Sequence, residues 1–202
     1  VIRMSAVEFN KEQLDILSEV GNMTVGQAAT SLSDFVNKMV TITIPTTKVY
    51  TYKELREEFS SSVITTKIDY TEGFEGSNLL MMQLGDAVDF SKVVTEEKLG
   101  NGDTIHAWGD LSKVILEEVF NIMIGNMSSG MSDIFNRYIK IGAPTIYADT
   151  EERDLFFPES EMLVAIWFDV RIESDFSIRL CNIITISQAQ KMLSIIEGDY
   201  HL

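Results

Sequence analysis

The sequence predicts an α+β fold: an antiparallel sheet of about six strands with two long helices packed on it, related by a pseudo-twofold internal duplication. Three observations carry this. Residues 15–45 align without a gap on residues 114–144, each aligned segment changes from helical to strand-like spacing at the same point, and each is followed by two further strand patterns and a helix.

The repeat comes first. At a constant offset of 99, 11 of the 31 aligned positions are identical: Ile16/Ile115, Leu17/Leu116, Glu19/Glu118, Val20/Val119, Asn22/Asn121, Gly26/Gly125, Ser33/Ser132, Asp34/Asp133, Asn37/Asn136, Ile42/Ile141 and Pro45/Pro144. Unrelated segments of that length share about two, so duplication is the better account. The chain therefore reads as one domain, residues 1–202, built from repeats at about 10–99 and 109–198 and joined through Gly100-Asn101-Gly102-Asp103.

Each copy opens with helical periodicity. Leu14, Leu17, Val20, Val25, Ala28, Ala29, Leu32, Phe35 and Val36 mark the first helix, and residues 114–124, apolar almost all round, predict a more buried second one. Strand-like segments follow at 40–44 and 139–143, closed by Pro45 and Pro144. A proline removes a ladder donor, which predicts a sheet edge or a strand end. Residues 63–70 with 78–84, and 162–173 with 176–186, supply two more strands to each half, turned at 69–76 and at Glu173-Ser174-Asp175. Helices then start at Asp86 and Ser187 as N-caps and run to about residues 97 and 197.

Composition bounds the function. A chain of 202 residues that is 45% hydrophobic can bury a full core without staples. Cys181 is the single cysteine, so no internal disulfide forms, and no basic-then-apolar leader opens the sequence; a cytoplasmic chain is the expectation. Val1 stands where an initiator Met would, which points to a domain cut from a longer protein or to processing. No apolar run reaches the roughly 18 residues of a spanning helix, so no membrane span is expected. The net charge of −15 repels phosphate backbones, and no nucleic-acid partner is expected.

The repeated helix carries the chemistry. Glu19 and Asn22, and again Glu118 and Asn121, are spaced i, i+3, which sets a carboxylate and a carboxamide one turn apart on one face. An amide donates and accepts at once and suits the holding of a water; a carboxylate attracts cations. Gly26 and Gly125, four residues beyond each Asn, leave a spot free of side chain where another protein can approach closely. Pro45, Pro144, Ser33/Ser132 and Asp34/Asp133 read instead as helix-end and strand-end residues. His106 and His201 lack metal-ligand spacing, Cys181 lies in an alternating strand as a buried small hydrophobe, and 151–154 followed by Leu155-Phe156-Phe157-Pro158 reads as a solvated loop with an apolar tuck, a partner-binding loop being the alternative. No phosphate-binding glycine loop, dinucleotide fingerprint or nucleophile elbow occurs.

Asp15-x-x-x-Glu19-x-x-Asn22, with 22 residues before Pro45, resembles the signature of the CheC/FliY/CheX phosphatases, which dephosphorylate the chemotaxis response regulator CheY. Glu118-x-x-Asn121, with the same interval before Pro144, resembles it too, although Val114 stands where the pattern has Asp or Ser. The resemblance covers nearly the whole chain and is greatest to the two-site members, leaning to the FliY phosphatase core with CheC the close alternative. It implies a phosphatase for the aspartyl phosphate of CheY at the flagellar motor switch, with Glu19, Asn22, Glu118 and Asn121 as site residues. It further implies Asn22 or Asn121 orienting a water, Glu19 or Glu118 pairing with a lysine of the partner, and no cofactor of its own. The Mg²⁺ would be supplied by the phosphorylated response regulator, and motor-switch proteins would be further partners. A non-catalytic scaffold for CheY or the switch is the alternative, and a metal-dependent hydrolase the third reading.

Overall fold

The computed structural model describes residues 9–148, 156–173 and 176–199; the acidic run 151–154, the turn residues Ser174 and Asp175, and His201 lie outside them. In chain order the elements are α1 (Lys11–Val36), β1 (Val40–Ile42), β2 (Thr46–Thr51), α2 (Tyr52–Glu57), β3 (Val63–Glu72), β4 (Ser77–Gln83), α3 (Leu84–Leu99), a 3-10 turn (Gly102–Thr104), α4 (Asp110–Phe135), β5 (Lys140–Ile141), β6 (Thr145–Ala148), β7 (Met162–Ile172), β8 (Phe176–Thr185) and α5 (Ile186–Asp199). The expected α+β class, with two long helices on an antiparallel sheet, is borne out.

Both long helices stop in the same way. Asn37 and Asn136 take left-handed backbone, φ 55° and 46°, a conformation that Asn tolerates better than most side-chain-bearing residues. Ser33 then ties the helix end to the strand, its Oγ accepting from the Val40 N–H at 2.9 Å while donating to the Ala29 carbonyl at 2.8 Å. Ser132 does the same with the Ile139 N–H at 3.0 Å and the Ser128 carbonyl at 2.8 Å. The structural role read for these serines is thereby borne out.

The sheet has eight strands rather than about six, in the order β1-β7-β8-β4-β3-β5, with β2 also on β7 and β6 also on β3. It remains six strands wide, because each edge is one strand broken in two at a proline. Ile42 pairs with Val170 but Thr46 pairs with Trp167, so residues 43–45 face only two residues of β7. Ile141 pairs with Tyr70 and Thr145 with Lys67, which makes the same one-residue bulge at 142–144. The edge pieces that follow α1 pair with the late strand β7, and those that follow α4 pair with the early strand β3, so the halves of the chain interlock.

Alternation along β7 divides the core. Val164, Ile166, Phe168, Val170 and Ile172 face the layer of α1, α3, α4 and α5, where they meet Leu32, Phe90, Phe120 and Leu193. Leu163, Ala165 and Trp167 face the other side, where Tyr52 and Leu55 of α2 cover them with Phe156 and Phe157. The apolar tuck of that loop is borne out for Phe156 and Phe157. Cys181 is fully buried on this second face, and burial pushes its thiol up.

Two expected N-caps are corrected. The N-cap of α3 is Gln83, with no side-chain cap, and Asp86 lies inside the first turn. At α5, Thr185 Oγ1 accepts from the Gln188 N–H at 3.1 Å and Gln188 Oε1 from the Thr185 N–H at 2.9 Å, so Thr185 caps the helix rather than Ser187. Both helices start straight off the last residue of a strand, which leaves no loop for a separate cap. The unforeseen α2 starts with a Thr51/Glu54 capping box and buries only Tyr52 and Leu55.

Candidate active site

α1 and α4 pack against one another in opposite senses. A Cβ on Gly130 would lie 3.1 Å from Thr24 Cα, and further along α1 Ser31 Oγ donates to Asn126 Oδ1 at 3.3 Å. As α1 advances, its neighbour on α4 falls back.

Each helix keeps one stripe in solvent. On α1 it runs through Asp15, Glu19, Asn22, Gly26, Thr30 and Asp34, with Asn22 half-buried and the others exposed. On α4 the stripe is Val114, Glu118, Asn121, Gly125, Ser129 and Asp133, all of them exposed. Steps of three and four residues hold each set on a single face. The side chains of Glu19, Asn22, Glu118 and Asn121 make no hydrogen bond or ion pair with another described residue. A Cβ at Gly26 or at Gly125 would meet nothing within 4 Å. Glycine at these two helix-interior positions therefore relieves no packing clash, although it costs a helix about 1 kcal/mol relative to Ala.

The structure thus brings Glu19 together with Asn22, and Glu118 with Asn121, but keeps the two pairs apart. With Thr24 opposite Gly130, about 16 Å of helix separates Asn22 from Asn121 at about 1.5 Å per residue. One phosphoryl group cannot reach both. Each pair is an open acceptor and donor set on a rigid helix, able to hold one water and to meet one cation of a partner.

Sequence reasoning missed how the loop 43–45 is fastened to the first pair. Ser18, one turn before Asn22, shares a 2.6 Å hydrogen bond with Thr47, and the buried Pro45 ring lies 3.6 Å from the position of a Cβ on Gly21. The single cue was Pro45 at a fixed interval from Asn22. No group of three or more His, Cys, Asp or Glu stands together among the described residues, and His106 is exposed. No described helix is long and apolar enough to cross a membrane.

Residues 12–49, which span α1 and the start of the sheet edge, match the CheC-like family. Over 193 residues the chain is 28% identical to the flagellar motor switch phosphatase FliY of Bacillus subtilis, covering 93% of this chain and 50% of that one; it spans half the length of this relative. It is 27% identical over 145 residues to the CheY-P phosphatase CheC of the same organism, covering 69% of this chain and 68% of that one. An X-ray structure of FliY from Thermotoga maritima has the same fold, with a TM-score of 0.80 at 23% identity, covering 94% of this chain and 98% of that one. The resemblance read from the repeated motif is borne out: by sequence the chain is a relative of FliY and CheC.

Proposed function

We propose that this chain is a phosphatase for the phospho-aspartate of CheY, with two independent sites derived from an internal duplication. The observation that carries the reading is the pair of solvent-facing Glu-x-x-Asn-x-x-x-Gly stripes whose polar side chains have no partner, and whose glycines have no packing reason, among the described residues. The relatives named as CheY-P phosphatase and as flagellar motor switch phosphatase support the substrate.

Asn22 or Asn121 enters the partner's phosphorylation site and holds a water in line with the acyl phosphate. The water oxygen bonds to phosphorus as the bond from phosphorus to the aspartyl oxygen breaks. The products are inorganic phosphate, which takes up the water's protons, and a free carboxylate. Glu19 or Glu118 pairs with a lysine of the partner, which fixes the amide in place. Orientation alone can supply up to about 7–11 kcal/mol of barrier lowering, so no nucleophile of this chain is required. A Mg²⁺ that assists the reaction would be supplied by the phosphorylated partner rather than held by this chain. Further partners are motor-switch proteins, and the place of action is the cytoplasmic face of the flagellar motor.

Catalysis and scaffolding separate on turnover. At one molecule of this protein to many of phospho-CheY, a phosphatase shortens the lifetime of the whole pool, whereas a scaffold changes only its own equivalent. An unchanged lifetime would sink the phosphatase reading.

A further inference from the structure

The two sites differ in what stands beside them, and the difference lies in the bulge. Ile44, at its centre, is the most exposed large hydrophobic side chain among the described residues, at 80%. It is held rather than loose. The Thr43 N–H donates to the Asp169 carbonyl at 3.0 Å, the Asp169 N–H donates to Thr43 Oγ1 at 2.9 Å, and Pro45 packs over Gly21. Bulges re-aim a side chain out of the ladder, and this one exposes Ile44 immediately before Pro45, whose ring lies 3.6 Å from the Cβ position of Gly21, the residue before Asn22. Asn22 is half-buried there. At the second site the same bulge presents Ala143, and Asn121 is exposed.

We propose that Ile44 is a docking contact of the first site alone, covered by an apolar patch that rims the phosphorylation site of the protein Asn22 enters. This rests on the phosphatase reading above. The occupant follows from continuity: a partner close enough to place its phosphoryl group at Asn22 and its backbone over Gly26 also covers the adjoining bulge. The second site, with a methyl group in that place, binds the same partner more weakly.

The test isolates one site at a time. In an Asn121→Ala chain, Ile44→Asp raises the phospho-CheY concentration at half-maximal rate about tenfold, with the maximal rate within about twofold, and Ile44→Ala does so less. Met39→Asp, an exposed apolar residue beyond the end of α1, is the control and changes nothing. In an Asn22→Ala chain, Ala143→Ile lowers the half-saturating concentration. If Ile44→Asp leaves half-saturation unchanged while the Asn121→Ala chain still turns over, the docking contact is overturned and the phosphatase reading stands. If the chain lacking both amides still turns over, the amide-positioned water is overturned, and the docking contact argued from it falls too. Self-association that disappears with Ile44→Asp, at unchanged half-saturation, would assign Ile44 to contact with a second copy of this chain and likewise overturn the proposal.

Discussion

Asn22 and Gly26 stand one turn apart on the solvent face of α1, and a Cβ added at Gly26 would find no atom within 4 Å. Asn121 and Gly125 repeat the relationship on α4. The glycines are thus a cost to the fold with no packing return among the described residues, and on the proposed function a partner's close approach supplies it.

Gly26→Ala and Gly125→Ala should each raise stability by about 1 kcal/mol, the helix-propensity difference, in urea unfolding. The same substitutions should slow phospho-CheY turnover at their own site by about tenfold or more, since small misplacements of an aligned water are costly. Gains in stability with undiminished turnover would show that no partner backbone reaches these positions.

Gly130 should respond in the opposite direction. Its Cβ position is 3.1 Å from Thr24 Cα and 3.3 Å from the Met23 carbonyl oxygen, both backbone atoms. Gly130→Ala should lose about 1–3 kcal/mol by overpacking even though Ala favours the helix. A stabilised Gly130→Ala variant would contradict the close crossing of α1 and α4.

Ser33→Ala and Ser132→Ala each strip a buried backbone N–H of its acceptor, at Val40 and Ile139 respectively. Each should cost about 1–3 kcal/mol in denaturant unfolding. The solvent stripes are untouched, so turnover by the folded protein should persist.

The start of α2 should be sensitive to acid. The Glu54 carboxyl is held below its ordinary value of 4.5 by the Thr51 backbone N–H, then by the Thr51 hydroxyl. The unfolded chain therefore takes up a proton more readily than the folded one. The stabilisation is complete above the ordinary value and is lost as pH falls through the lowered folded value. Thermal melting followed from about pH 6 to about pH 3 should fall more steeply for wild type than for Glu54→Gln. Parallel curves would show that the carboxylate adds nothing to the cap.

The candidate site was legible because it is local. Spacings of three and four residues on one helix place Glu19, Asn22 and Gly26 together whatever the rest of the fold does. The sheet was less so. The pairing of Val40 with Ile172 joins residues far apart in sequence, and nothing in either segment states that the edge strand after α1 crosses to β7. Pro45 and Pro144 marked where the edges break, but the one-residue slip depends on Thr43 meeting Asp169, a contact that exists only in the assembled sheet. α2 was invisible because six residues that bury only Tyr52 and Leu55 make no period.

The most direct measurement is phosphate release from phospho-CheY by the Asn22→Ala/Asn121→Ala double variant, at substoichiometric protein, beside wild type and each single variant. If each amide aligns a water, the single variants keep the activity of the remaining site, and the double variant, folded as wild type by circular dichroism, falls to the rate of CheY alone. A double variant that still releases phosphate at the wild-type rate would contradict the account.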